Sequence, residues 1–128
     1  DAKAWIGKEP VYKFCIQDDD QEKLNRIGNR LRKELDVDAY KSYYNMLDIM
    51  TKGVSKGTAI SKLTDIFDVK TEEIIAVGDN ENDVSMMHVA GLGVAMGNAD
   101  EKIKIEADYV TDTNNNSGVA RVIQKFMF

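Results

Sequence analysis

The sequence predicts an α/β fold with a mainly parallel sheet. Short apolar runs alternate with amphipathic segments along most of the 128 residues. The run at 74–77 is apolar at every position and ends at Gly78, a pattern typical of a strand buried on both faces. Polar residues follow this run and open the next amphipathic segment. These observations favour strands joined by crossover helices.

The first fifty residues predict a βαβ-like unit. Residues 11–16 form an apolar and aromatic strand that contains Cys15, whose thiol we expect to be buried. Acidic residues at 18–20 mark a helix start. Residues 42–49 predict a second strand. The apolar positions of the intervening helix are Leu24, Ile27, Leu31 and Leu35.

A regular alternation of helix and strand begins after residue 51. A glycine-punctuated turn at 53–57 precedes a helix with apolar residues at Ala59, Ile60, Leu63, Ile66 and Phe67. The later elements predicted are a strand at 74–77, a helix at 82–90, a strand at 93–96, a helix at 99–106, a strand at 109–110 and a helix at 118–126.

Composition narrows the classes of partner. The formal charge is −5 and lysine and arginine do not cluster, which argues against a nucleic acid or an anionic membrane as the partner. No apolar stretch approaches the roughly 20 residues of a membrane span. The single cysteine and the lack of a signal-peptide apolar region lead us to expect a reducing cytoplasm. A small anionic substrate is compatible with this negative net charge, because a metal ion or nearby cationic side chains can outweigh it locally.

The segment 78–83, with sequence GDNEND, carries the strongest chemical signal. It follows a predicted buried strand, and ligands of open α/β sheets bind at the carboxyl ends of strands. Asp79 offers a carboxylate to Mg²⁺, which prefers hard oxygen ligands, and Asp83 lies about one helical turn further on. The structural alternative is that Asp79 or Asn80 only caps the following helix. That alternative needs one such residue, whereas every position from 79 to 83 is polar.

Lys56 gives the second signal. A lysine at a helix start is disfavoured by the helix dipole by up to about 1 kcal/mol. Its ammonium would be useful beside a phosphoryl group, where it neutralises charge that develops in transfer. An exposed, solvated lysine at the helix entry is the alternative, and the tetrapeptide at 54–57 does not decide between them.

A run of motifs in order resembles the C-terminal half of the Cof-type branch of haloacid dehalogenase-like hydrolases. The resemblance extends from about Lys52 to the end of the chain, and earlier residues are similar only in pattern to that branch's α/β cap. The motifs are Lys56-Gly57, GDNEND at 78–83, Met86-Met87, Ala90-Gly91, GVAMGNA at 93–99, Ala107-Asp108 and Gly118-Val119-Ala120.

The resemblance implies a Rossmann-like core and a Mg²⁺-dependent phosphatase that acts through an aspartyl-phosphate. It gives Lys56 the role of holding nucleophile and phosphate, and Asp79 the role of metal ligand. Asn82 is similar to the asparagine that contacts the phosphate region, and Asp83 to the supporting acid. Asn98 is expected to shape the loop beside the site. The implied substrate is a small phosphorylated metabolite.

The family's nucleophile motif, Asp-x-Asp-x-Thr after a strand, is missing from this pattern. Asp18-x-Asp20 follows an apolar run, but Glu22 stands where the threonine belongs, so these aspartates are expected to cap the next helix. We therefore expect residues 1–50 to be part of a cap and residues 51–128 the C-terminal part of the core. The chain alone is expected to be inactive, with an N-terminal piece or a second copy completing the sheet.

Two other functions stay open at the level of sequence. A non-catalytic binding or regulatory fragment would keep the fold without the chemistry. A receiver-like signalling domain also pairs a strand-end aspartate with a lysine and Mg²⁺, but there the lysine follows the aspartate, whereas Lys56 precedes Asp79. Labelling of Asp79 by acetyl phosphate would favour the receiver.

Overall fold

The structure is a computed structural model that describes Lys8 and residues 10–128. The chain divides after Gly53 into two compact units. The first unit ends at Gly53 and the second comprises Val54–Phe128. No helix in the described part of the chain is long and apolar enough to cross a membrane.

The described part of the first unit consists of a three-stranded antiparallel sheet and one helix. Its elements are β1 Phe14–Gln17, α1 Gln21–Glu34, β2 Val37–Tyr43 and β3 Met46–Thr51. The strand order is β1-β3-β2, and both pairings are antiparallel. Residues two apart along a strand share a face, and the apolar face of this sheet packs against α1. The buried centre consists of Leu24, Ala39 and Leu47, with Ile16, Ile27 and Ile49 packed around it.

Two expectations for this unit are wrong. The single strand predicted at 42–49 is a hairpin, in which β2 and β3 are separated by Tyr44 and Asn45. The unit is still βαβ-like, because β1 and β2 both pair antiparallel with β3 and therefore run parallel to each other, with α1 between them in the chain. Asn45 fixes this turn, because its carbonyl accepts from the Asp18 N–H and its Nδ2 donates to Asp19. Cys15 is exposed rather than buried, because it lies on the sheet face opposite Ile16 and α1.

The acidic residues before α1 cap the helix, as expected. Asp20 is the N-cap residue and its side chain accepts a hydrogen bond from the Lys23 N–H at 2.9 Å. The Asp18 carboxylate accepts from the Asp20 N–H and pairs with the Lys23 ammonium. This ion pair lowers the pKa of Asp18 and raises the pKa of Lys23. The segment is therefore a helix start rather than a nucleophile loop.

The second unit is a parallel α/β domain, which confirms the predicted fold class. Its sheet has the order β4-β5-β6, and both pairings are parallel. Helices connect the strands, as parallel neighbours require. Its elements are α2 Lys56–Phe67, β4 Ile75–Gly78, α3 Val84–Val89, β5 Leu92–Ala95, α4 Glu101–Lys104, β6 Tyr109–Val110 and α5 Gly118–Phe126.

The helices beside the sheet are shorter than the sequence predicts. Residues 81–83 form a 3-10 turn before α3, and α4 covers only four residues. The core of the unit packs Met87 of α3 against Ala95 of β5 and Ile103 of α4. Large apolar side chains on α2 and α5 stay exposed, including Ile66, Phe67 and Phe126.

Candidate active site at the carboxyl end of strand β4

The loop after β4 turns tightly against a buried carboxylate. Gly78 ends the strand, and a Cβ on this glycine would lie 2.7 Å from Cγ of Asp83, closer than real Cβ atoms approach. Any larger residue would push the Asp83 side chain out of place. Glycine at 78 is therefore a packing requirement that lets Asp83 fold back under the loop.

The buried Asp83 carboxylate holds the conformation of this loop through hydrogen bonds. Only 4% of the residue is exposed. Its Oδ2 accepts hydrogen bonds from the backbone N–H groups of Asp79 and Asn80, each at 3.0 Å. Its Oδ1 accepts from the Lys56 ammonium. A buried carboxylate needs such partners, because burying an unpaired charge is costly.

Two local features bring Lys56 to Asp83. Ser55 caps α2, accepting a hydrogen bond from the Thr58 N–H, so that Lys56 is the first helical residue. Gly57 lies flush against α3, where a Cβ would be 2.8 Å from the Ser85 carbonyl carbon, and its N–H donates to Ser85 Oγ at 3.1 Å. The ion pair with Asp83 explains how a lysine is accommodated at this helix start.

The Asp79 carboxylate is held by two asparagines. Asn80 Nδ2 donates to Oδ1 at 2.9 Å, and Asn98 Nδ2 donates to Oδ2 at 3.0 Å. Asn98 Oδ1 in turn accepts a hydrogen bond at 3.0 Å from the backbone N–H of Asn114, which lies in the loop that follows β6. These two hydrogen bonds fix the orientation of the carboxylate. Asp79 is only half-buried, so the carboxylate retains access to solvent.

Asn82 lies in the same turn and has an unused acceptor. Its Oδ1 is buried and has no hydrogen-bond partner among the described residues. Leaving a buried polar atom unpaired costs about 1 to 3 kcal/mol. A hydrogen-bond donor, a water molecule or a cation would satisfy this acceptor, whereas the side-chain NH₂ of Asn82 is the group suited to an anion.

The donor set suits Mg²⁺ as part of a site. Within the described residues, no three His, Cys, Asp or Glu side chains converge to hold a metal ion. Mg²⁺ does not need such a cage, because it usually takes one or two carboxylates and completes its shell with water and substrate oxygens. Asp79 supplies a hard, oriented oxygen ligand of this type.

The structure brings most of the predicted site residues into one network. Asp83 joins Lys56 to the Asp79 backbone, and Asn98 bonds the Asp79 carboxylate. The sequence suggests only a helix-capping role for Asn80, yet its side chain contacts that carboxylate directly. The available signal was its position next to Asp79 in a turn.

The parallel sheet with helical connections defines a Rossmann-like domain, and the Asp79 carboxylate lies at the end of β4, the edge where ligands of such sheets bind. The profile of one family, described as haloacid dehalogenase-like hydrolase, matches residues 2–123. The chain belongs to this family, which confirms the resemblance seen in the motifs.

Known relatives agree with this membership. The chain is 36% identical to 5-amino-6-(5-phospho-D-ribitylamino)uracil phosphatase of Bacillus subtilis, over 98% of this chain and 53% of the relative. It is 37% identical to pyridoxal phosphate phosphatase of Escherichia coli, over 88% of this chain and 42% of the relative. A solved haloacid dehalogenase-like hydrolase from B. subtilis superposes with a TM-score of 0.87 at 35% identity, over 98% of this chain and 45% of that one.

The chain thus spans about half the length of the relatives it matches. The two relatives are named as phosphatases and the solved structure as a hydrolase, and their aligned portions include residues 78–83.

Proposed function

We propose that this chain is the C-terminal part of a Mg²⁺-dependent phosphatase that hydrolyses phosphate monoesters of small metabolites through an aspartyl-phosphate. Residues 1–50 would be part of the cap and residues 51–128 part of the core. The observation that carries the proposal is that one buried carboxylate, Asp83, holds both the Lys56 ammonium and the Asp79 loop. This arrangement gives a cation and a metal-binding carboxylate a common support.

Asp79 is the residue that would hold Mg²⁺. When bound, the ion neutralises phosphate charge and orients the phosphoryl group for attack. The chain's own contribution is a carboxylate whose two oxygens already have fixed directions. Such preorganisation avoids a reorganisation cost when the ligand binds.

Lys56 would contact the phosphoryl group. Its side chain is 49% exposed although its ammonium pairs with buried Asp83, so donor capacity of the ammonium remains for a second anion. Asn82 would contribute its side-chain amide to the phosphate region. Lys56 then acts by charge neutralisation and Asn82 by positioning, and these two effects supply most of the catalysis in phosphoryl transfer.

The nucleophile and the acid/base aspartate would come from a segment outside this chain. An N-terminal piece of the same protein, or self-association, would also complete the sheet beside β4, which pairs only with β5 among the described strands. The names of two relatives specify phosphorylated ribitylaminouracil and pyridoxal phosphate as substrates. Both are small phosphorylated molecules, which supports the proposed substrate class.

The test compares the complete reading frame with this chain alone. The complete protein should release phosphate from a panel of small phosphate monoesters only with Mg²⁺, and Asp79→Asn and Lys56→Met should each lower kcat/KM by about 100-fold or more. Asp65→Asn, which changes an exposed carboxylate on α2, is the matched control. The chain alone should not hydrolyse p-nitrophenyl phosphate.

A complete protein that binds Mg²⁺ but hydrolyses no phosphate monoester would contradict the proposal and favour a binding or regulatory role. If the chain alone hydrolysed p-nitrophenyl phosphate and Asp79→Asn abolished that activity, the expected inactivity of the chain would be wrong. The proposed role of Asp79 would still stand.

A further inference from the structure

The side chains of Asn80 and Asn98 donate hydrogen bonds to the two oxygens of Asp79, and we name these two asparagines the carboxamide clamp. We propose that Asn80 and Asn98 are positioning residues that fix the Asp79 carboxylate for Mg²⁺ and make the site prefer Mg²⁺ over Ca²⁺. The inference rests on the proposed function in one respect, namely that Asp79 is the metal ligand.

The clamp fixes the orientation of the Asp79 carboxylate but leaves lone pairs on both of its oxygens for a metal ion. Each oxygen of Asp79 accepts one amide hydrogen, from Asn80 at 2.9 Å and from Asn98 at 3.0 Å. A carboxylate has about four lone-pair sites, so each oxygen keeps one for a metal ion. Because the donors act on different oxygens, rotation of the carboxylate breaks at least one hydrogen bond.

Both donors are themselves held in place. The Asn80 backbone N–H is bonded to the buried Asp83 carboxylate at 3.0 Å. Asn98 Oδ1 accepts from the Asn114 N–H, which ties the loop after β5 to the loop after β6. Mutation of a residue that orients a metal ligand in this way typically lowers metal affinity by about 10- to 100-fold.

The fixed carboxylate explains the expected preference between cations. Mg²⁺ demands near-ideal octahedral geometry, whereas Ca²⁺ accepts variable coordination and often takes a carboxylate through both oxygens. A carboxylate of fixed orientation suits Mg²⁺, which needs a single carboxylate oxygen in a defined direction. Without the clamp the carboxylate would rotate freely, so that Mg²⁺ loses more affinity than Ca²⁺.

The test titrates the whole chain with MgCl₂ or CaCl₂ and follows the backbone amides of residues 79–83 by NMR. In Asn80→Ala and Asn98→Ala the Kd for Mg²⁺ should rise about tenfold. The Kd for Ca²⁺ should rise less, so the ratio of the two constants changes. Asn116→Ala removes a carboxamide from the loop that contains Asn114 and serves as the control, with both constants unchanged.

The outcomes separate the clamp from the metal site. Unchanged binding in both clamp variants, with binding lost in Asp79→Asn, would refute the clamp and leave the proposed metal ligand standing. Equal weakening of both cations would also refute it, because general loosening of the loop does not discriminate between them. Mg²⁺ shifts that persist in Asp79→Asn would refute the metal assignment of the proposed function and the clamp with it.

Discussion

Asp83 connects the Lys56 ammonium to the backbone of Asp79 and Asn80 in the candidate site. It accepts from two backbone N–H groups and from Lys56 while it is almost fully buried. Its predicted role was that of a supporting acid beside the metal ligand. The geometry gives a physical reason for such a role, because the loop conformation and the lysine position both depend on one carboxylate.

Replacing Asp83 should therefore destabilise the second unit. Asp83→Ala is expected to cost about 2 to 4 kcal/mol, since it leaves the N–H groups of Asp79 and Asn80 without their acceptor. Urea unfolding followed through the amide signals of β4 and β5 measures this loss. Asp65→Ala, at an exposed position on α2, should change stability by less than about 0.5 kcal/mol. Equal stability of the two variants would contradict this account of Asp83.

The thiol of Cys15 offers a residue-scale test in the first unit. Desolvation, followed by the negative charge of Asp48 on the neighbouring strand, raises the pKa of Cys15. A raised pKa means less thiolate at a given pH, so alkylation is slow. Asp48→Asn should lower this pKa and speed the reaction with iodoacetamide at pH 8.

Lys13 provides the opposite control for that experiment. Its ammonium pairs with Asp48 at 2.9 Å and lowers the pKa of Cys15. The hydrogen bond to Asp48 raises the pKa of Lys13 itself, so the lysine stays charged at pH 8. Lys13→Gln should slow alkylation further. A rate that falls in Asp48→Asn would show that the charge of Asp48 does not govern the thiol.

At the scale of elements, the contact between α2 and α3 sets the position of Lys56. Gly57 has no room for a side chain against the Ser85 backbone. Gly57→Ala should force the helices apart and lower the unfolding free energy by about 1 to 3 kcal/mol. Lys62→Ala, on the same helix, is the control, and urea unfolding compares them. If Gly57→Ala matched the control, close packing would not be what places Lys56.

Much of this element pattern could be predicted from the sequence, for a physical reason. Strands β4 and β5 are continuous apolar runs beside glycine-rich turns, so local pattern and tertiary burial agree. The β2–β3 hairpin was missed because Tyr44 and Asn45 connect it without a glycine or proline signal. Their turn depends on contacts of Asn45 with residues 18 and 19, which lie far away in sequence.

The candidate site shows the same limit. Lys56, Asp79 and Asp83 could be proposed from the sequence, because residue type, motif order and the resemblance to the family together indicate their roles. The clamp could not, since the bond from Asn98 to Asp79 joins loops 19 residues apart and depends on the side-by-side pairing of β4 and β5. Long-range contacts of side chains leave little trace in a single sequence.

At the scale of the whole molecule, exposed apolar side chains predict association. In α2, Ile66 is 72% exposed and Phe67 69% exposed, and the chain spans about half the length of its relatives. Large exposed apolar patches usually mark interfaces. Light scattering with size-exclusion chromatography should give the pure chain a mass above 14.4 kDa that grows with concentration.

Charge on that helix should reverse the association. Ile66→Lys is expected to shift the chain toward monomer, whereas Lys62→Glu, also on exposed α2 surface, should have little effect. A well-behaved monomer of the unaltered chain at every concentration would argue against an incomplete core.

The central claim, a metal ion at Asp79 beside a phosphate held by Lys56, is tested most directly by crystallography of the chain with Mn²⁺ and inorganic phosphate. Mn²⁺ prefers the same oxygen ligands as Mg²⁺ and can be located by its anomalous scattering. We expect an anomalous peak at the Asp79 carboxylate, with phosphate within hydrogen-bond reach of Lys56 Nζ, and no peak in Asp79→Asn. A peak elsewhere, or one that survives in Asp79→Asn, would contradict the account.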